Sequence, residues 1–194
     1  VDPATGRPLY YTETGEVTYD YSNAEVKVQG ANPMVAPRFY GGFENSFTYK
    51  GVRLSGLLYF RYGGKIFRGL YQDLMMSGSG GGSNMSVDDL ERWQNPGDIT
   101  NVPRLDATYT DPGPSSRWLE DASYIRLRNL SLSYTFPKSL ISNIGLSDLT
   151  LSVNGVNVLT FTKYGGLNVT TGAEEDDDVY PASRTITFGI NAKF

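Results

Sequence analysis

Residues 184–194 read RTITFGINAKF, and the fold turns on how that stretch is laid out. Drawn as an extended strand, it places Ile186, Phe188, Ile190, Ala192 and Phe194 on one face. Thr187, Gly189, Asn191 and Lys193 fall on the other. Strict period-two alternation ending on an aromatic residue is the pattern of a transmembrane β-barrel's closing strand, with one face toward lipid and one toward a polar lumen. A soluble edge strand can carry the same alternation. The rest of the chain has to separate the two.

Four further strands are predicted, over residues 39–50, 52–63, 124–136 and 148–160, with 184–194 as the fifth. The first two meet at a tight Lys50-Gly51 turn, and each is close to the nine to eleven residues with which a tilted strand crosses a bilayer. Their outward set is Phe43, Phe47, Leu54, Leu58 and Phe60, continued by Leu132, Tyr134, Leu151, Phe188 and Ile190. The inward set is Glu44, Arg53, Tyr59, Arg61, Asn129, Asn154, Asn191 and Lys193. Glu44 is expected to pair with Arg53 or Arg61, because inward residues of adjacent strands are neighbours. Near the start of the third strand Arg126 and Arg128 are in phase with the apolar face. Either a bulge sits near Asn129 or these arginines stand at headgroup level, and the second reading is preferred.

Long and short connections alternate. Residues 1–38 read as an external loop with a small hairpin about Thr14-Gly15. Residues 64–121 read as a long irregular loop, holding the run SGSGGGS at 77–83 and a short helix over 87–93 capped by Ser86. A second external loop covers 162–183. With Phe194 at the periplasmic face, every long connection falls outside and every short one inside, as bacterial barrels require. Residues 39–194 thus read as the C-terminal part of a larger barrel. Five strands cannot close one, and unpaired edges are not tolerated in lipid.

Composition narrows the function classes. The net charge is −4, so no nucleic-acid footprint is expected. There is no cysteine and no histidine, which removes thiolate chemistry and the commonest general base and metal ligand. Tyr 14, Phe 9 and Gly 22 suit a β-rich protein. Mean hydropathy is −0.34 and no apolar run reaches about 18 residues, so no membrane-spanning helix is predicted. The opening VDPATGRPLYY has neither a basic start nor an apolar core, so a mature or partial chain is expected.

Several blocks carry a family resemblance. They are GANPMVAPRFYGGFENSFTYKGVRLSGLLYFRYGGKIFR, RWQNPGDITNVPRL, LEDASYIRLRNLSLSYTFP, LTLSVNGVNVLTFTKYGGLN and YPASRTITFGINAKF, and they cover most of residues 30–194. Together they resemble the C-terminal end of the SusC/RagA class of TonB-dependent outer-membrane transporters. The resemblance implies an all-β fold, a transmembrane antiparallel barrel of about 22 strands around a plug, to which this chain supplies about five. It also implies import of oligosaccharides or oligopeptides across the outer membrane of a Gram-negative bacterium. The implied partners are the rest of the transporter, a SusD-like surface lipoprotein, outer-membrane lipid and, through the plug, the TonB complex.

The candidate site residues are of three kinds. Trp93, Tyr109, Trp118, Tyr164 and Tyr180 are loop aromatics suited to stacking on sugars or peptides. Packing of the loops together, or against the lipoprotein, competes with that role. The inward polar set reads either as contacts to plug or solute or as hydrogen-bonding lining of a filled lumen, and the second reading is preferred. Phe188, Ile190 and Phe194 form the closing terminus. The acidic run Glu174, Glu175, Asp176, Asp177 and Asp178 has oxygen ligands that suit calcium but lacks the glycine-punctuated spacing of a dedicated loop, so a solvated loop is expected. No cofactor, catalytic residue or metal is expected. Two alternatives remain: a secreted carbohydrate-binding β-sandwich, and an outer-membrane barrel enzyme, which the missing histidine and nucleophile motif disfavour.

Overall fold

One antiparallel sheet carries most of the regular structure. β1 (Tyr10–Tyr11) and β2 (Val17–Thr18) form a separate short hairpin around the predicted Thr14-Gly15 turn. The main sheet follows as β3 (Phe39–Tyr49) and β4 (Val52–Tyr62). After the short pair β5 (Lys65–Phe67) and β6 (Leu119–Asp121) it resumes with β7 (Tyr124–Thr135), β8 (Asp148–Thr162) and β9 (Thr185–Lys193). Its spatial order is β3-β4-β7-β8-β9, all neighbours antiparallel. The computed structural model describes residues 1–25, 36–75, 84–105, 115–166, 180 and 182–194. These fall into two units: the sheet with its short connections, and a second unit of residues 1–25, 66–75, 84–105 and 115–120.

Register turns the alternation of single strands into two continuous faces. Phe47 lies opposite Leu54, Leu54 opposite Leu132, Leu132 opposite Val153 and Val153 opposite Phe188. The row below runs Tyr49, Val52, Tyr134, Leu151 and Ile190. This apolar face is bare: Phe47 is 65% exposed and Phe188 and Ile190 are each 77% exposed. A sandwich would bury such rows against a second sheet, so their exposure argues against that alternative. No helix among the described residues is long and apolar enough to cross a membrane.

The Lys50-Gly51 turn has φ 46° at Lys50 and 83° at Gly51, the pair of positive values that a type I′ hairpin requires. A Cβ on Gly51 would lie 2.5 Å from the Thr135 carbonyl oxygen, so glycine is needed there for space as well as conformation.

Two expectations are corrected here. Leu57 pairs with Asn129 but Leu58 pairs with Leu127, so Arg128 is an extra residue in β7. The bulge, not the headgroup placement, explains the arginines: one extra residue reverses the phase of the strand beyond it. Leu127 and Ile125 join the apolar face, opposite Leu58 and Phe60, and Arg126 and Tyr124 join the polar one. On the other side β8 absorbs two residues, Asn157 and Val158, between Val156 and Leu159. Asn157 takes a left-handed φ of 54°, which asparagine tolerates better than most residues, and its Nδ2 donates to the Ser183 carbonyl at 3.0 Å.

The second correction concerns Glu44, which stands opposite Leu57. Arg53 and Arg61 lie opposite Thr48 and Tyr40, four positions away in either direction. At about 3.4 Å per residue that is roughly 14 Å, beyond ion-pair reach.

The stretch expected to be irregular, 64–121, is partly built. Its described part has α1 (Gly69–Leu74) and a 3-10 turn at Val87–Glu91. That turn is shorter than the helix predicted over 87–93, and its Ser86 side chain accepts from the Asp88 N–H at 3.3 Å. Met75, Val102 and Trp118 form its core with Phe67 and Tyr71 packed on.

Candidate functional site

The polar face of the sheet is lined by short hydrogen-bonding side chains that join adjacent strands. Arg53 Nε donates to Ser46 Oγ at 3.1 Å, and Ser131 Oγ donates to Asn154 Oδ1 at 2.6 Å. The Thr135 and Thr150 hydroxyls are 3.0 Å apart, and Arg126 Nε donates to Thr160 Oγ1 at 3.0 Å. Glu44, Arg53, Tyr59, Arg61, Asn129, Asn154, Asn191 and Lys193 all lie on this face by register. Such a wall offers donors and acceptors to a polar neighbour. It holds no nucleophile-and-base pair, and no acidic cluster suited to a metal occurs among the described residues.

In the other unit, residues 1–7 fold into a turn clamped by Trp93 and Arg104. Pro3's carbonyl accepts from Trp93 Nε1 at 2.9 Å and from the Gly97 N–H at 2.8 Å. Gly6's carbonyl accepts from the Arg104 N–H at 2.9 Å. Gly6 itself has φ 70°, and a Cβ there would meet the Trp93 ring at 2.5 Å. Asp2 organises the turn: its carboxylate accepts from the hydroxyls of Thr5 and Tyr19, with Tyr19 at 2.7 Å. The Thr5 bond chiefly, then that from Tyr19, holds the Asp2 pKa down to about 2.

A depressed carboxylate contributes stability above its unfolded pKa and loses it as pH falls through the folded one. The turn is therefore expected to hold fully above about pH 4 and to loosen between about pH 4 and 2. Amide exchange at Ala4 and Gly6 should rise in that window, and Asp2→Asn should abolish the pH dependence. Exchange that stays flat across the window in the parent protein would refute the role given to Asp2.

No protein-family model matches the chain. It is 33% identical over 187 residues to TonB-dependent receptor P3 of Formosa agariphila, across 90% of this chain and 18% of the receptor. It is 30% identical to TonB-dependent receptor P39 of the same organism, across 93% of this chain and 19% of that receptor. Solved structures of the RagAB peptide importer superpose over the whole chain. In the open-open state the TM-score is 0.81 at 28% identity, over 21% of the importer chain. The closed-closed state also gives a TM-score of 0.81 at 28% identity, over 22% of its chain.

The chain is a segment of a SusC/RagA-type TonB-dependent transporter. It spans about a fifth of the length of the relatives it matches. Those relatives are receptors and importers, not enzymes.

Within the transporter segment the loop aromatics divide. Trp118 is 3% exposed and sits in the core with Met75 and Val102, which fits the loop-packing role that competes with stacking on a solute. Tyr164 is likewise buried. Trp93 is half-buried against Gly6, with its indole N–H committed to Pro3. Tyr180 differs from these three in being 92% exposed. Tyr109 and the acidic run 174–178 lie outside the described residues. In β9 Phe188 and Ile190 share the apolar face, and Phe194 follows the strand, exposed.

Sequence reasoning missed Arg126 and Tyr124 as members of the polar face. A signal was present. Tyr59-Phe60-Arg61 and Tyr124-Ile125-Arg126 share a Tyr-x-Arg spacing with an apolar residue between, the alternation of a strand whose outer face is lipid-like.

Proposed function

We propose that the chain is the C-terminal barrel segment of an outer-membrane importer. It would take up oligosaccharides or oligopeptides with a SusD-like surface lipoprotein as partner, powered by the TonB complex through a plug. The observation that carries this is the register-matched apolar face opposite a polar one. β3 and β4 have 11 residues each. Such strands are roughly 34 Å long, and at a tilt of about 45° they cover about 24 Å, the height of the apolar band of outer-membrane barrels. The free edges β3 and β9 are where the strands of the remaining barrel would pair. The polar face becomes lumen wall, and the connections 64–121 and 162–183 become external loops.

Ile125 and Arg126 give a sharp test, since this segment has no native cysteine and any elsewhere in the transporter are first replaced by serine. In the full-length transporter in outer-membrane preparations, Arg126→Cys should react with a water-soluble maleimide. Ile125→Cys should react only with a lipid-phase probe. Reversed labelling would sink the orientation of the faces. Import itself is tested by accumulation of labelled oligopeptides and oligosaccharides in cells with and without the energising complex; uptake indifferent to that complex would refute active transport.

A further inference from the structure

Beyond the β7 bulge the polar face carries a two-by-two block. Tyr59 stands opposite Arg126, and Arg61 opposite Tyr124. The two tyrosine rings lie 6.0 Å apart, centroid to centroid. On β3 the first row ends at Gly42, whose missing side chain leaves that end open, and the second at Tyr40. Tyr124 is buried, and Arg61 and Arg126 are half-buried.

These two rows hold two guanidinium groups and no carboxylate. Glu44, in the next row, is on β3, two strands from Arg126. Diagonal neighbours in an antiparallel sheet are about 7–8 Å apart. The Arg128 guanidinium at the bulge bears on Arg126, and an anion held at Arg126 offsets that repulsion. Arg126 is the better grip. Its Nε is committed to Thr160 Oγ1, which fixes the planar fork while the two terminal nitrogens remain for a bidentate acceptor. Arg61 has contacts of its own and adds field more than grip.

The geometry points to a subsite for a carboxylate of the transported solute, gripped by Arg126 and bounded by Tyr59, Arg61 and Tyr124. It rests on the import reading and narrows the cargo to solutes bearing a carboxylate, either a peptide C-terminus or a uronic acid.

The test uses cells carrying the full-length transporter. They are offered a random hexapeptide library as free acids and as C-terminal amides, and tetragalacturonate with its methyl ester, with uptake read by mass spectrometry. The free acid of one pair should enter at least about tenfold better than its neutral form, the scale of a lost charge-assisted hydrogen bond; which pair shows it identifies the source. Arg126→Gln should bring that pair to parity, and Arg126→Lys should recover part of the preference. Lys138→Gln makes the same charge change beyond the opposite end of β7 and should leave the preference intact. Uptake is normalised to the folded fraction of each variant, so a folding defect cannot mimic lost recognition. Equal uptake of acid and neutral forms, or a preference that survives Arg126→Gln, overturns the subsite and leaves the import reading standing. No uptake of any probe overturns both.

Discussion

Trp118→Ala should cost the unit built from residues 66–75, 84–105 and 115–120 about 3–5 kcal/mol, the range for truncating a fully packed tryptophan. The ring is 3% exposed and closes a core of Met75 and Val102, with Tyr71 meeting it edge-on at 6.0 Å. The Trp118 carbonyl also accepts from the Arg68 N–H at 2.9 Å, so a collapsing core would disturb the start of α1. Limited proteolysis of the full-length transporter should show new cleavage within 84–105. Tyr180→Ala, at a 92% exposed position, should change stability by less than about 0.5 kcal/mol. If the Trp118 variant resists protease as the parent does, the aromatic core is not what holds this unit. Solute contact would then have to be reconsidered for Trp118.

Leu58→Arg should cost about 2–4 kcal/mol in a membrane refolding assay, whereas Ser55→Arg should cost far less. Leu58 lies between Phe43 and Leu127 near the middle of the apolar rows, so a guanidinium there would be held in hydrocarbon. Ser55 lies on the opposite face between Ser46 and Ser131, where an arginine finds hydroxyls and, in the intact barrel, water. The contrast separates a membrane wall from a soluble sheet, because in water both faces would accept an exposed arginine at little cost. Equal costs at the two positions would refute the barrel assignment.

Much of the sheet is legible in the order of the residues alone. Alternation is a local property: successive side chains of an extended chain must point to opposite sides. Residues 184–194 and the pair of strands around Lys50-Gly51 therefore announce their faces outright. The turn is equally local, since only glycine meets both the positive φ and the space beside Thr135. The inward set, from Glu44 to Asn191, follows from the same parity.

What parity cannot supply is a change of parity. Whether Arg126 joins the apolar or the polar face depends on the bulge at Arg128, and that exists only because β4 and β8 hold the two halves of β7 in different registers. Glu44 likewise acquires its neighbours from pairing, with Leu57 opposite and both arginines out of reach. The aromatic residues of the long connections are the least legible. Trp118 and Tyr180 look alike in a polar, turn-rich sequence, yet one is buried and the other bare. Burial is set by contacts between residues far apart in the chain, as when Trp118 meets Met75 and Val102. The sequence by itself determined the strands, their two faces and the glycine turn, because each is settled within a few residues. Only the tertiary structure decided the phase of β7, the partners of the charges and the fate of the loop aromatics, because each depends on which distant segment the chain is packed against.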